Sequence, residues 1–145
     1  MPAKKGKIQR QITMLRIMLQ KMCDGFDVKE ANKRSVLTAK QKVLFLLSEQ
    51  KEVSPSYLIE KLGIAKSNLA LLCSGMVNEG LISVAKNQED KRNITYSITN
   101  KGEKELTTFL DDMDRELSEV IANDKEYRLL EKKLDEILEI FKRKF

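Results

Sequence analysis

The segment from Ser54 to Gly102 constrains the fold more than any other part of the chain. Ser54 and Pro55 are a favourable pair for starting a helix, and Gly63 is well placed to end it. Apolar residues then recur at helical spacings of three and four, which predicts a second helix after a tight turn. These apolar residues are Leu69, Leu72, Cys73, Met76 and Val77.

Two short stretches of alternating polarity complete this segment. Residues 82–84 and 94–98 are joined by a polar, charged tip that runs from 87 to 93. Alternation with a period of two, interrupted by a polar turn, predicts a β-hairpin. A helix, a turn, a second helix and a hairpin follow one another in the order of a winged helix-turn-helix, a unit that places a helix and a basic loop against DNA.

Amphipathic helices are predicted on both sides of this unit. Thr38 and Gln41 form a capping box at the start of a helix near 39–49, and Asn123 or Asp124 caps the last helix after a break at 122–124. The apolar stripes of the terminal helices are longer than one winged helix can cover, which favours burial against a second copy of the chain. The stripes comprise Ile8, Ile12, Leu15, Leu19 and Met22, then Leu106, Phe109, Leu110, Met113, Leu117, Val120 and Ile121, and finally Leu130, Leu134, Ile137, Leu138 and Phe141.

We therefore predict a mainly α-helical chain with a small β-hairpin wing. Residues 1–36 form an N-terminal dimerisation helix and loop, of which 23–36 are the loop or a weak turn of helix. Residues 37–102 form the winged helix-turn-helix DNA-binding domain, and 103–145 the C-terminal dimerisation helices. The alternative is a monomer whose terminal helices fold back on the core.

Charge differs between the two parts of the chain. Residues 1–101 hold 18 Lys and Arg against 9 Asp and Glu, a net +9, whereas 102–145 hold 9 against 13, a net −4. A basic body favours a polyanionic partner such as double-stranded DNA.

Residue usage also limits the chemistry that we expect. The chain has no histidine, which excludes catalytic triads and histidine-bearing metal sites, and its glycines are too scattered for a phosphate loop. No apolar run reaches membrane-spanning length, and two cysteines 50 residues apart are typical of a reducing compartment. We expect a cytoplasmic protein that is not an enzyme, holds no metal or cofactor, and does not bind membranes.

The hairpin and its exit carry a family resemblance. Residues 90–102, Asp-Lys-Arg-Asn-Ile-Thr-Tyr-Ser-Ile-Thr-Asn-Lys-Gly, resemble the wing signature of the MarR family of bacterial transcription regulators: Asp-x-Arg, alternating apolar residues, then Leu-Thr-x-x-Gly. Residues 62–67 and 79–82 resemble the helix-turn-helix junction and the entry to the wing. The resemblance implies a homodimer that binds a pseudo-palindromic operator, usually as a repressor, and that is often released by a small-molecule effector.

The resemblance also implies roles for the residues of the wing. By position, Arg92 is the arginine that enters the minor groove, and Asp90 is the carboxylate that orients the tip through an ion pair. Lys86 and Lys91 are expected to contact phosphates. A guanidinium gains from the enhanced negative potential of a narrow minor groove.

The second helix of the motif departs from the family pattern. Leu71 and Gly75 stand where relatives often have arginine, and Ala70 stands where they have threonine. Without these arginines the helix lacks bidentate contacts to guanine, so we expect A·T-leaning or weakly selective binding in which phosphate contacts supply affinity. The candidate DNA-binding residues here are Lys66 and Ser67 for phosphates, Asn68 for adenine, Ala70 and Leu71 for thymine methyl groups, and Ser74.

Two other functions stay open at this point. An exposed Leu71 is also compatible with a protein-interaction module that does not bind specific DNA. Cys23 lies near the position of a reactive cysteine in a peroxide-sensing branch of the family, so a redox-sensing regulator is the other alternative. A crevice for an effector could be lined by Met14, Met18, Met22, Phe26 and Phe109, which are more often ordinary core residues.

Overall fold

The computed structural model describes residues 6–24, 37–90 and 92–144, without the side chains of 20–24. The described residues form a helical chain with one antiparallel hairpin, which confirms the predicted fold class. The elements are α1 (Lys7–Asp24), α2 (Ala39–Glu49), α3 (Pro55–Leu62), α4 (Lys66–Asn78), β1 (Ile82–Lys86), β2 (Ile94–Ile98), α5 (Asn100–Val120) and α6 (Asp124–Lys142).

Local side-chain caps explain where α2 and α3 begin and end. The Thr38 hydroxyl accepts from the backbone N–H of Gln41 at 3.1 Å, and the Gln41 side chain accepts from the Thr38 N–H at 2.9 Å. The Ser54 hydroxyl caps α3, whose first residue is proline. Gly63 ends α3 with a positive φ of 64°, a conformation that glycine adopts without steric cost. These predicted boundaries are confirmed.

The hairpin is longer than predicted and acquires a second pairing, with a residue outside it. β1 runs to Lys86, two residues beyond the predicted end, in a register that pairs Ile82 with Ile98. Val53, just before α3, forms a bridge with Tyr96: each residue donates its N–H to the other's carbonyl, at 2.9 and 2.8 Å. The bridge fixes the first helix of the motif to the wing.

The core lies between the helix-turn-helix and the wing, and it closes against the start of α5. None of its members belongs to α1 or α6 in the described part of the chain. Its buried apolar residues are Val43, Leu44, Leu47, Val53, Leu58, Leu69, Cys73, Met76, Leu81, Ile82, Tyr96 and Leu106.

Thr99 and Gly102 join the wing to α5. The Thr99 hydroxyl donates to the carbonyls of Gly80 and Leu81, at 2.6 and 2.9 Å, and accepts from the Gly102 N–H at 3.1 Å. A Cβ atom placed on Gly102 would lie 2.2 Å from the Leu81 carbonyl oxygen. Close approach of the two backbones therefore accounts for the Thr-x-x-Gly spacing at the exit of the wing.

In the single chain, α1 and α6 expose most of their described apolar stripes, and α5 exposes part of its stripe. α6 has no buried residue, and α1 has none among its described side chains. The predicted loop at 23–36 lies outside the described residues, apart from Cys23 and Asp24, which belong to α1. Exposed large apolar residues include Ile8, Ile12, Leu15 and Leu19 in α1, Leu110 and Val120 in α5, and Leu134, Ile137, Leu138 and Phe141 in α6.

Candidate nucleic-acid interface

The two faces of α4 have different environments. Leu69, Cys73 and Met76 are buried and hold the helix against the core. All six candidate DNA-binding residues on this helix, from Lys66 to Ser74, are exposed. The periodicity that identified the core face therefore also gives the outward face correctly, whereas the role of that face in DNA binding stays a prediction.

The outward face of α4 carries little charge. Lys66 is the one charged residue among the 13 of the helix, and it lies in the first turn. Leu71 has an exposed fraction of 75%, the largest among the large hydrophobic residues that the structure describes. A side chain this exposed contributes little to folding, so packing does not constrain which residue stands here, and the side chain is available to contact another molecule.

A shallow groove separates α4 from β1 and brings the helix and the wing onto one surface. Val84 is partly exposed in this groove, and Tyr96 lies at its floor. Because side chains alternate along a strand, Lys86 lies on the same face of β1 as Val84. The groove is lined by Ala70, Ser74, Val77, Asn78, Val84 and Tyr96.

Asp90 organises the tip of the wing. Its Oδ1 atom accepts from the backbone N–H of Arg92 at 3.0 Å and from the Arg92 Nε at 3.2 Å. The Arg92 side chain is 92% exposed. An exposed ion pair contributes about 0–1 kcal/mol to stability, so the contact matters mainly because it orients an extended guanidinium. Lys91, the other predicted cation of the tip, lies outside the described residues.

The C-terminal end of α4 is held by two lysines, Lys40 and Lys101, that lie outside the helix. The Lys40 Nζ lies 2.6 Å from a carboxylate oxygen of Glu79 and 3.6 Å from one of Glu105. The Lys101 Nζ donates to the backbone carbonyl of Glu79 at 2.7 Å. These contacts join the end of α4 to α2 and α5, and no local sequence signal predicts them because the partners are far apart in the chain.

The structure describes the side chain of only one of the two cysteines, Cys73. Cys73 is fully buried, as expected for the core face of α4. Burial raises the pKa of its thiol, an effect that interaction with the Tyr96 hydroxyl partly offsets. A protonated, inaccessible thiol is unreactive. The side chain of Cys23 lies outside the described residues, so the redox alternative stays a prediction.

Stability is expected to fall as pH rises above about 9. Burial raises the pKa of Cys73 and Tyr96, and the hydrogen bond to Glu79 raises that of Lys40. Each group holds its proton more tightly in the folded state than in the unfolded state. The resulting stabilisation is complete at pH values below the group's pKa in the unfolded state, and it is lost as the pH rises through the pKa in the folded state. Urea unfolding at pH 7.5 and pH 10 measures the difference; equal stabilities would contradict this assignment. The variant Tyr96→Phe should show a smaller decline.

No cluster of three or more His, Cys, Asp or Glu side chains that could hold a metal occurs among the described residues. The acidic residues of α5 are exposed or partly exposed, and Asp112 is paired with Arg115.

Met14 and Met18 of the predicted effector crevice are exposed in the single chain, whereas Phe109 packs against the core. In the part of the chain described by the structure, every helix is too short or too polar to cross a membrane.

One protein family matches the chain. Residues 40–117 match the family described as "Winged helix DNA-binding domain". No curated protein is significantly similar to the chain in sequence.

Solved structures share the fold at low sequence identity. A MarR family protein from Bacillus stearothermophilus has a TM-score of 0.75 at 17% identity, over 97% of this chain and 99% of that one. FabT from Streptococcus pneumoniae, solved in complex with DNA, has a TM-score of 0.66 at 14% identity, over 94% and 99%. BpsR from Bordetella bronchiseptica, whose DNA binding is regulated by 6-hydroxynicotinic acid, has a TM-score of 0.61 at 12% identity, over 94% and 97%.

The family match indicates a winged helix DNA-binding domain, and the resemblance of the wing to the MarR signature agrees with the fold of these solved structures. The match over residues 40–117 covers more than half of the chain, so the protein belongs to the winged helix DNA-binding domain family, with the fold of MarR regulators.

Proposed function

We propose that the protein is a homodimeric repressor that binds a pseudo-palindromic operator and is released by an effector. The observation that carries the proposal is the continuous surface formed by the outward face of α4 and the extended wing. Lys66 lies in the first turn of α4, Lys86 is the last residue of β1, and the exposed Arg92 lies in the tip of the wing. Exposed cations on α4 and on the wing suit contacts with the phosphates of a DNA backbone.

Dimerisation is part of the proposal because the terminal helices expose more apolar surface than a monomer usually does. Leu138 and Phe141 in α6 are each about half exposed, as are Ile12 and Leu15 in α1. Burying both helices against a second copy would remove this surface from water and would give the two-fold symmetry that a palindromic operator requires.

Release by an effector has indirect support. BpsR shares the fold, and its DNA binding responds to 6-hydroxynicotinic acid. For this chain we propose the same kind of control without assigning a ligand. Its mechanism would be a shift between dimers whose two α4 helices match or miss successive major grooves, about 34 Å apart.

Arg92→Ala is expected to weaken binding to the DNA upstream of the protein's own gene by about tenfold at constant salt. The substitution removes the exposed guanidinium at the tip and leaves the core untouched. Fluorescence anisotropy on a labelled duplex measures the affinity. Arg128→Ala is a matched control, because Arg128 is an exposed arginine on α6, away from the wing.

Equal affinities of the wild type and Arg92→Ala would contradict the role of the wing. Failure of the wild type to bind DNA, together with a stable dimer, would instead favour the protein-interaction module. The observation behind that second candidate is the exposed Leu71 on α4.

A further inference from the structure

The exposed side chains of α4 are suited to a particular base pair. Asn68 offers an amide NH₂ as donor and a carbonyl oxygen as acceptor, Ala70 and Leu71 offer hydrocarbon, and Ser67 and Ser74 offer hydroxyls. The helix presents no arginine, and its lysine lies in the first turn. This set lacks the side chain that most often recognises guanine and retains those that match adenine and thymine.

The major groove has one hydrocarbon group at the edge of its bases, the 5-methyl of thymine. Leu71, at 75% exposure, is the largest apolar side chain on the outward face of α4. Asn68 lies three residues earlier, which separates the two by about 4.5 Å along the helix axis. That rise is close to the spacing of about 3.4 Å between neighbouring bases along one strand, so the two side chains can reach neighbouring base pairs.

We propose that α4 reads an A·T-rich major-groove site by contact between Leu71 and thymine 5-methyl groups, with Asn68 pairing to adenine. This inference rests on the proposed DNA binding and specifies which sequences the site selects. Leu71 is the specificity-determining residue, and Lys66 and Lys86 contact phosphates.

The surroundings of Leu71 favour a base edge over a protein partner. The apolar surface near it is small, with Ala70 beside it and Val84 40% exposed across the groove. Protein-docking patches are usually larger and continuous. Exposed cations occur on both elements of this surface, Lys66 on α4 and Lys86 at the end of β1, so the charge is complementary to a polyanion.

The test removes the methyl group from the DNA. A duplex selected from a random library by the wild-type protein is prepared again with deoxyuridine in place of each thymidine of the protected site. Uracil keeps every hydrogen-bonding group of thymine and lacks only the methyl. Loss of one buried methyl contact should weaken wild-type binding about fourfold, and two contacts in a dimeric site should weaken it about 16-fold.

Leu71→Ala supplies the second arm of the test. This variant should bind the thymidine duplex more weakly than the wild type does, and it should not distinguish the two duplexes. Leu71→Met, which keeps a long apolar side chain, should retain most of the discrimination. Because Leu71 is so exposed, the variants should fold normally, and far-UV circular dichroism checks this.

The outcomes separate the inference from the proposed function. Equal wild-type affinity for both duplexes, or discrimination that survives in Leu71→Ala, overturns thymine reading while DNA binding stands. Selection of a guanine-dominated site also overturns it. If the wild type selects no DNA at all, the proposed function fails as well, and Leu71 then belongs to a protein-interaction surface.

Discussion

Gly102→Ala is expected to lower the free energy of unfolding by about 3 kcal/mol, a large part of the stability of a domain of this size. The added Cβ would lie 2.2 Å from the backbone oxygen of Leu81 and 2.8 Å from the Ile98 side chain. Leu81 and Ile98 belong to the base of the wing, so the backbone must move to accept the methyl group. Thermal unfolding should occur roughly 10 °C lower than in the wild type.

Gly75→Ala is the matched control for this substitution. No atom lies within 4 Å of a Cβ placed on Gly75, which is within α4. Alanine there should stabilise the helix by up to about 1 kcal/mol, because glycine costs more conformational entropy. A Gly102→Ala protein as stable as the wild type would show that α5 and the wing are not in close backbone contact.

Leu138→Glu is expected to weaken dimerisation about 1,000-fold. Leu138 is 50% exposed in the single chain and lies in the apolar stripe of α6. Loss of one buried leucine contact costs about 2 kcal/mol, and two-fold symmetry makes the loss occur twice in each dimer. Sedimentation velocity at micromolar concentration should show monomers, and affinity for DNA should fall because the two half-sites are no longer bound together.

Lys132→Glu provides the control for Leu138→Glu. Lys132 lies on the opposite side of α6 from the apolar stripe and is exposed. It introduces the same carboxylate and should leave the dimer intact. If Leu138→Glu also remains a dimer, the C-terminal stripe of α6 does not form the interface, and the proposed dimer is wrong.

Local chemistry made the element boundaries predictable. Thr38, Ser54 and Asn123 each accept a hydrogen bond from a backbone N–H in the first turn of the helix that they precede. The signal is confined to four residues, so the sequence alone contains it. The alternation of 94–98 likewise identifies β2 with its observed ends.

Contacts between distant residues were not predictable in the same way. The bridge between Val53 and Tyr96 depends on the docking of α3 against the wing, and the ion pair of Lys40 with Glu79 depends on the crossing of α2 and α4. Gly102 could be recognised as part of a family pattern. The physical reason for a glycine at this position is the close approach of α5 to the backbone of Leu81, which only the three-dimensional structure shows.

The candidate site shows the same division. Periodicity predicts which side of α4 faces outward, and the exposure of Leu71 agrees with it. The groove that places Val84 and Tyr96 beside that face could not be derived from spacing, because it depends on the angle between the helix and the hairpin. A surface shared by α4 and β1 is therefore a result of the three-dimensional structure.

The salt dependence of wild-type binding to its own upstream DNA tests the central claim most directly. A dimer that places Lys66 and Lys86 of both protomers at phosphates and Arg92 of both in the minor groove brings six cations to the DNA and should give a slope of about −5 in log K against log salt. Raising the salt from 100 to 200 mM should then weaken binding about 30-fold. Binding that does not change with salt, or no binding by an intact dimer, would contradict the assignment of this surface to DNA.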